Sequence, residues 1–414
     1  MAALLIKNIR TLVQVRESTM QPVRGADMAQ LPCIDNAWLL IKGGTIMDYG
    51  PMDTCPPDPK AIIDATGRLV LPAWVDAHTH IVFARTREEE FVDRIRGLSY
   101  EEIAARGGGI LNSARRLTEK SEQELVDYAL VRLDEVAATG TGAIEIKSGY
   151  GLSVEGELKM LRVIQRLRQE HPLTIKATFL GAHAIPQNYK SDREGYVQLI
   201  IQEMLPVIAA EGLADFIDVF CEKNYFTPEE MGRILEAGAK HGLRPKVHVN
   251  QFNSIGGIQA AIGNRALSVD HLEVMTDADI AALAASDVMP TVLPSCSFFL
   301  NIPYAPARRM MDAGLPICLA TDFNPGSTPS GNMPFVLSLA CIQLRMLPEE
   351  AINAATINAA FALGLEEELG SITRGKTANI IITEPMDSVA RIPYSFGSNP
   401  VWKTLVKGYE VVTM

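Results

Sequence analysis

Leu69-Val-Leu-Pro-Ala-Trp-Val-Asp-Ala-His-Thr-His80 joins an apolar, strand-like run, Leu69–Val75, to a polar tip carrying two histidines. The same design recurs along the middle of the chain. Further apolar runs lie at Gly142–Ile146, Thr174–Leu180, Phe216–Phe220, Pro245–Val249, Ala266–Val269, Val288–Leu293 and Pro316–Ala320. Between most of them lie amphipathic stretches, including Glu122–Ala138, Glu155–Gln169, Tyr196–Glu211, Pro228–Lys240 and Asp277–Ala285. Thr227-Pro-Glu-Glu230 supplies an N-cap, a proline at the first helical position and an acid at the third. Strands that alternate with helices are parallel and buried on both faces. Eight of them favour a closed α/β barrel over an open sheet.

The tips of these runs are polar. They read His78-Thr-His80, Lys147-Ser-Gly-Tyr150, His183, Cys221-Glu-Lys223, His248-Val-Asn-Gln251, His271-Leu-Glu273 and Thr321-Asp-Phe-Asn-Pro-Gly326. In a parallel barrel the carboxyl ends of all strands converge on one face, where active sites form. Five of the seven histidines therefore share that face. The other two, His171 and His241, follow helices and read as ordinary C-terminal-turn residues.

Both chain ends read differently. Short β-like runs appear at Trp38–Lys42, Gly44–Met47 and Ala61–Asp64, around a Pro- and Asp-rich loop at Tyr49–Pro59. Asn379–Thr383 and Val401–Val412 repeat the pattern after the turn Arg374-Gly-Lys376.

Composition narrows the function. The chain of 414 residues is 47% hydrophobic and 21% charged, which excludes disorder and fibrous folds. A formal charge of −11 argues against nucleic acid or an anionic membrane as partner. A small anionic substrate would need a local cation. The six cysteines are scattered without a CxxC pair, as in a reduced cytoplasmic protein. The apolar stretch Met1–Lys7 is too short for a signal peptide. The uncharged run Val288–Ala307 holds four prolines, and is expected to form a strand and an active-site loop rather than a membrane span.

On a strand, His78 and His80 face the same way. Alone, such a pair is weak evidence and fits two polar loop residues equally well. Joined by His248, His271 and Asp322 at later strand ends, it points to a metal, because imidazoles suit Zn or Fe. A catalytic metal keeps one position open and activates a water near neutral pH. Asp322 is then the candidate to touch the metal and to carry a proton to a leaving nitrogen. His271 is the candidate to orient the water or to stabilise charge on a carbonyl oxygen.

These residues resemble the amidohydrolase superfamily, and within it the imidazolonepropionase family. The motifs that carry the resemblance are His78–Glu88, Gly107-Gly-Gly-Ile110, Glu145-Ile-Lys-Ser-Gly-Tyr-Gly-Leu152, Phe179–His183, Asp218–Glu222, Asp270-His-Leu-Glu273 and Ala320–Ser327. Leu369–Ile381 is similar to the superfamily's usual return from the barrel. The resemblance implies a (β/α)8 barrel over residues 71–366 and a small β-sandwich domain built from residues 1–70 and 367–414. It implies a homodimer with one Zn or Fe ion per subunit, held by His78, His80, His248 and Asp322. It implies hydrolysis of the cyclic amide C–N bond of 4-imidazolone-5-propanoate to N-formimino-L-glutamate, in histidine degradation. Arg87 and Tyr150 would bind the propanoate and His183 the ring, with Gln251, Asn324 and Gly326 also at the substrate.

Other readings stand beside these. Arg87 could be an exposed partner of Glu88, Glu89 or Glu90; Tyr150 a turn residue between two glycines; His183 a satisfied strand-end histidine. The family usually has His-Ala-Asp-Glu-Phe where this chain has His248-Val-Asn-Gln-Phe252. Gln251 accepts through its carbonyl but cannot shuttle protons at ordinary pH. A related cyclic amidohydrolase or deaminase, acting on another imidazole-like or guanidine-like ring, is the alternative. A barrel that has lost its chemistry is a third reading, set against the retention of all four candidate ligands.

Overall fold

The computed structural model describes residues 3–18, 21–98, 102–103, 106 and 108–411. Gly107 of the glycine motif, the first two residues of Met1–Lys7, and Val412 lie outside the described residues.

Trp74–Asp76, Thr141–Lys147, Thr174–Ala182, Phe216–Cys221, Arg244–Val249, Ser268–His271, Met289–Val292 and Cys318–Leu319 form one sheet, each strand hydrogen-bonded to the next. All of these pairings are parallel. The sheet closes just past the strand ends. The Thr321 amide and hydroxyl donate to the two oxygens of buried Asp76, at 3.0 and 2.6 Å. The Asp322 amide then donates to the His78 carbonyl at 3.0 Å, and the His80 amide to the Phe323 carbonyl at 2.8 Å.

Outer helices cover this sheet with one apolar stripe each. Glu122–Ala138 buries Leu125, Val126, Ala129, Leu133 and Val136, a three- and four-residue spacing. Reciprocal capping boxes start that helix (Ser121 with Glu124) and Pro228–Lys240 (Thr227 with Glu230). His171 and His241 are the C-caps of Val154–Glu170 and Pro228–Lys240.

Three expectations need correction. The run Leu69–Val75 is not one barrel strand. Arg68–Pro72 pairs with Ala3–Val13 and Ile380–Pro385 in the terminal sheet, and only Trp74–Asp76 enters the barrel. Pro72 has no N–H to continue the ladder, so the chain changes sheets there. The expected helix Tyr196–Glu211 starts at Arg193 and contains a π-helical turn, Ile200–Met204. Pro206 cannot donate to the preceding turn, and the wider turn relieves its clash. After Met289–Val292, the expected loop is the short helix Pro294–Leu300, with proline at its first position.

The terminal strands form a second sheet. Ala3–Val13 lies between Cys33–Lys42 and Arg68–Pro72, with Ala61–Asp64 on its first half. Hydrogen bonds from Ile46 to Lys376 and from Ala378 to Gly44 tie the N-terminal strands to the C-terminal ones. The sheet has its own core, with Ile6, Leu39, Ile41, Val70, Ile380 and Leu405 among its members.

Candidate active site and metal centre

His78 and His80 follow the first barrel strand rather than lying on it, yet a bridge between Thr79 and Phe323 keeps the chain extended. The two-residue alternation therefore survives, and both rings reach the barrel axis. Nε2 of His78 and Nε2 of His80 each lie 3.7 Å from Oδ1 of Asp322. Nε2 of His248 lies 3.4 Å from Nε2 of His80. The His271 ring packs 5.3 Å from that of His248 and 5.5 Å from that of His78. All are buried.

This donor set fits a metal ion. Burial, then neighbouring positive groups, hold His78, His80 and His248 well below the usual histidine range, so their lone pairs are available. Nε2 of His78 has no hydrogen-bond partner among the described residues, although it is buried. Nδ1 of the same ring meets Asp270 Oδ2 at 2.6 Å, which turns Nε2 inward. Nδ1 of His248 lies 2.8 Å from Asp218 Oδ2, an ion-pair contact without hydrogen-bond geometry that sets the carboxylate behind the ring. His78, His80 and Asp322 offer ligand atoms within one ion's reach, as do His78, His248 and His271.

Asp322 and His271 stand in opposite electrostatic settings. Burial pushes the Asp322 carboxyl up to about 6 in the metal-free chain, against the pull of His271 and Ser327. Burial works to lower the proton affinity of His271, but the Glu273 carboxylate, 3.5 Å from its Nδ1, raises it overall. Both residues have left-handed backbones, φ +56° at Asp322 and +90° at His271. Such strain in non-glycine residues concentrates at functional sites.

The remaining candidates line a pocket above this cluster. Arg87 is only 7% exposed, so the reading of an exposed ion pair does not hold. Its Nε donates to Ser113 Oγ at 2.9 Å, its guanidinium faces the Tyr150 ring, and Glu90 stays 3.8 Å away. His183 is held through Nδ1 by the Gly149 carbonyl at 3.0 Å and stacks on His80, so its Nε2 edge faces the pocket. Gln251 is in the wall, its Nε2 3.4 Å from Cys296 Sγ. Asn324 folds its own loop: its Oδ1 accepts from the Gly326 and Ser327 amides, both at 2.8 Å. Asn250 is not in the pocket wall; its φ of +55° sends its amide to the Val274 carbonyl at 2.9 Å and to Asp279. An Asx residue there suits the left-handed backbone, so Asn250 does not bear on the acid–base question.

Gly326 matters through what it lacks. A Cβ on it would stand 2.4 Å from Arg87 Nη1. Its backbone lies outside the left-handed region, so alanine strains only the guanidinium. Gly326→Ala should raise KM for an anionic substrate about tenfold with an unchanged melting temperature; steady-state kinetics on the folded variant checks this.

Sequence reading missed Ser113, which holds Arg87, and Arg94, which lines the pocket, and it took Glu90 only as an exposed partner of Arg87; they come from the helices Glu88–Ile95 and Gly109–Thr118. Neither helix carries a barrel-strand signal. It also gave no role to Glu145, Lys147, Asp218 and Asp270, although charges inside apolar strand runs were the available sign.

The amidohydrolase family model matches residues 69–411. The chain belongs to the amidohydrolase family. It is 61% identical over 405 residues to the imidazolonepropionase of Flavobacterium johnsoniae, covering 98% of each chain. It is 57% identical to that of Christiangramia forsetii, over 98% of this chain and 99% of the relative. It is 42% identical to that of Geobacillus thermodenitrificans, over 100% and 98%. Among solved structures, E. coli guanine deaminase superposes with a TM-score of 0.77 at 16% identity, over all of both chains. A triazine hydrolase from Arthrobacter aurescens does so with 0.75 at 16%, over 100% of this chain and 95% of that one. At that identity the likeness is one of fold.

Proposed function

We propose that the chain hydrolyses the cyclic amide C–N bond of 4-imidazolone-5-propanoate to N-formimino-L-glutamate, in the degradation of histidine. The observation that carries it is a nearly buried arginine and a histidine–carboxylate cluster lining one pocket, in a chain 61% identical to an imidazolonepropionase. His78, His80, His248 and Asp322 would hold one Zn or Fe ion. Such an ion supplies Lewis acidity and an activated water near neutral pH.

The protein's own groups do the rest. Arg87 pairs with the propanoate, and Tyr150 packs beside it. His183 offers Nε2 to the ring. The Gln251 amide is turned towards Cys296, so its carbonyl oxygen is the acceptor for a ring N–H. Asp322 takes a proton from the attacking water and delivers it to the leaving ring nitrogen. His271, held by Glu273, donates to the carbonyl oxygen as negative charge grows there. Asn324 and Gly326 keep the last loop clear of Arg87. Gln251 in the wall, where the family resemblance implies an acid, is the one feature that favours a different ring as substrate.

The expected division into residues 71–366 for the barrel unit and residues 1–70 and 367–414 for the companion unit sits two residues later on this reading, because Leu71 and Pro72 pair in the terminal sheet, which has its own core. Exposed Ile342 and Tyr394 on adjoining helices, with Phe396 in the turn after the second, support a homodimer. Six unpaired cysteines support a cytoplasmic setting, and no described helix is long and apolar enough to cross a membrane. The direct test follows the ultraviolet band of freshly made imidazolone propanoate. Its loss should accelerate with the metal-loaded protein and return to the spontaneous rate after chelation. No acceleration would overturn the reading.

A further inference from the structure

Below the histidines, the barrel interior holds Glu145, Lys147, Asp218, Lys246 and Asp270 among its fully or almost fully buried charged side chains. Lys147 Nζ donates to Glu145 Oε1 at 2.7 Å and to Asp218 Oδ2 at 2.8 Å, and lies 3.6 Å from Asp270 Oδ2. Those two aspartate oxygens are the atoms that meet the candidate ligands: Asp270 Oδ2 at His78 Nδ1, and Asp218 Oδ2 at His248 Nδ1. One further donor fixes each carboxylate, Ser268 Oγ on Asp270 Oδ1 and the His248 amide on Asp218 Oδ1. A single ammonium thus lies between the two anions that back these two imidazoles, hydrogen-bonded to Asp218 and ion-paired with Asp270.

We infer that Lys147 is a positioning residue for the metal centre, holding Asp218 and Asp270 so that His78 and His248 present Nε2 to one ion. This rests on the metal-site reading above. Two buried anions so close repel each other unless a cation lies between them. Without that cation the carboxylates turn to other donors, and the rings they steer turn with them. Groups that orient metal ligands typically influence affinity by 10- to 100-fold.

Lys246 is the built-in control. It lies in the same network, bound to Glu145 Oε2 at 2.8 Å and to the Ala77 and Ala362 carbonyls, but touches neither aspartate that steers a histidine. The experiment titrates Zn(II) into metal-depleted full-length protein against a chromophoric chelator, with no substrate present. The expected result is one Zn(II) per chain for the parent protein, at least tenfold weaker binding for Lys147→Met, and binding within threefold of the parent for Lys246→Met. Parent-like affinity in Lys147→Met, or equal weakening in both variants, would overturn the inference and leave the catalytic reading standing. Should Lys147→Met fail to fold, Lys147→Arg keeps the charge and changes the geometry. It should bind Zn(II) at least threefold more weakly, and unchanged affinity there overturns the inference as well. A parent protein that takes up neither Zn(II) nor Fe(II) would instead overturn the metal reading and this one with it.

Discussion

Asp322→Asn should lower kcat on the order of a thousandfold, the range expected when a positioned acid–base group is lost, while the protein stays folded. The carboxylate is buried and its Oδ1 lies 3.7 Å from Nε2 of both His78 and His80. Its Oδ2 accepts from Ser327 Oγ at 3.1 Å. An amide of the same shape keeps that contact through its oxygen but cannot accept a proton from water. The fold should tolerate the change for a specific reason. Asp322 sits at φ +56°, and asparagine enters the left-handed region as readily as aspartate does. Its backbone amide still donates to the His78 carbonyl, so barrel closure is untouched. The check is kcat at saturating metal and substrate, alongside a thermal melt. Activity within tenfold of the parent protein would remove Asp322 from the chemistry.

How far this site was readable beforehand depends on the kind of residue. The histidines were legible because barrel topology turns sequence position into spatial position. Any residue just past an apolar run reaches the same face, whatever its distance along the chain. That logic found His78, His80, His183, His248, His271 and Asp322 without needing a contact. It could not find Ser113 or Arg94, which come from helices between the first and second strands. Nor could it tell that Asn250 and Gln251, adjacent in sequence, face different surroundings. That depends on a single positive φ at Asn250. The strand limits failed at Pro72, where a continuous apolar run serves two sheets. Hydrophobicity alone cannot divide such a run, but the proline could have. Lys147 and its aspartates were visible as charges in buried strands, yet Lys147 lies 71 residues from Asp218, and Asp270 lies 192 from His78, beyond any local pattern.

Arg87→Met should raise KM about a hundredfold and change kcat far less, because the propanoate is held alike in ground and transition states. The net charge of −11 makes a carboxylate substrate unwelcome everywhere except beside a fixed cation. Arg87 is nearly buried, and a charge-assisted pair out of water loses about 3 kcal/mol when one partner is cut away, which is roughly a hundredfold in affinity. The competing explanation is that Arg87 only supports the helix that follows it, through Ser113 and Glu90. The structure separates the two. Glu90 Oε1 is already held by the Gly109 amide at 3.0 Å and by Asn112, so it does not depend on Arg87. A purely structural arginine would lower the melting temperature and leave KM alone. Arg87→Lys sharpens the comparison, since it restores the charge without the two-pronged fork. It should recover part of the loss in KM and none if shape alone matters. Equal KM values for the parent, Met and Lys proteins would place substrate recognition elsewhere in the pocket.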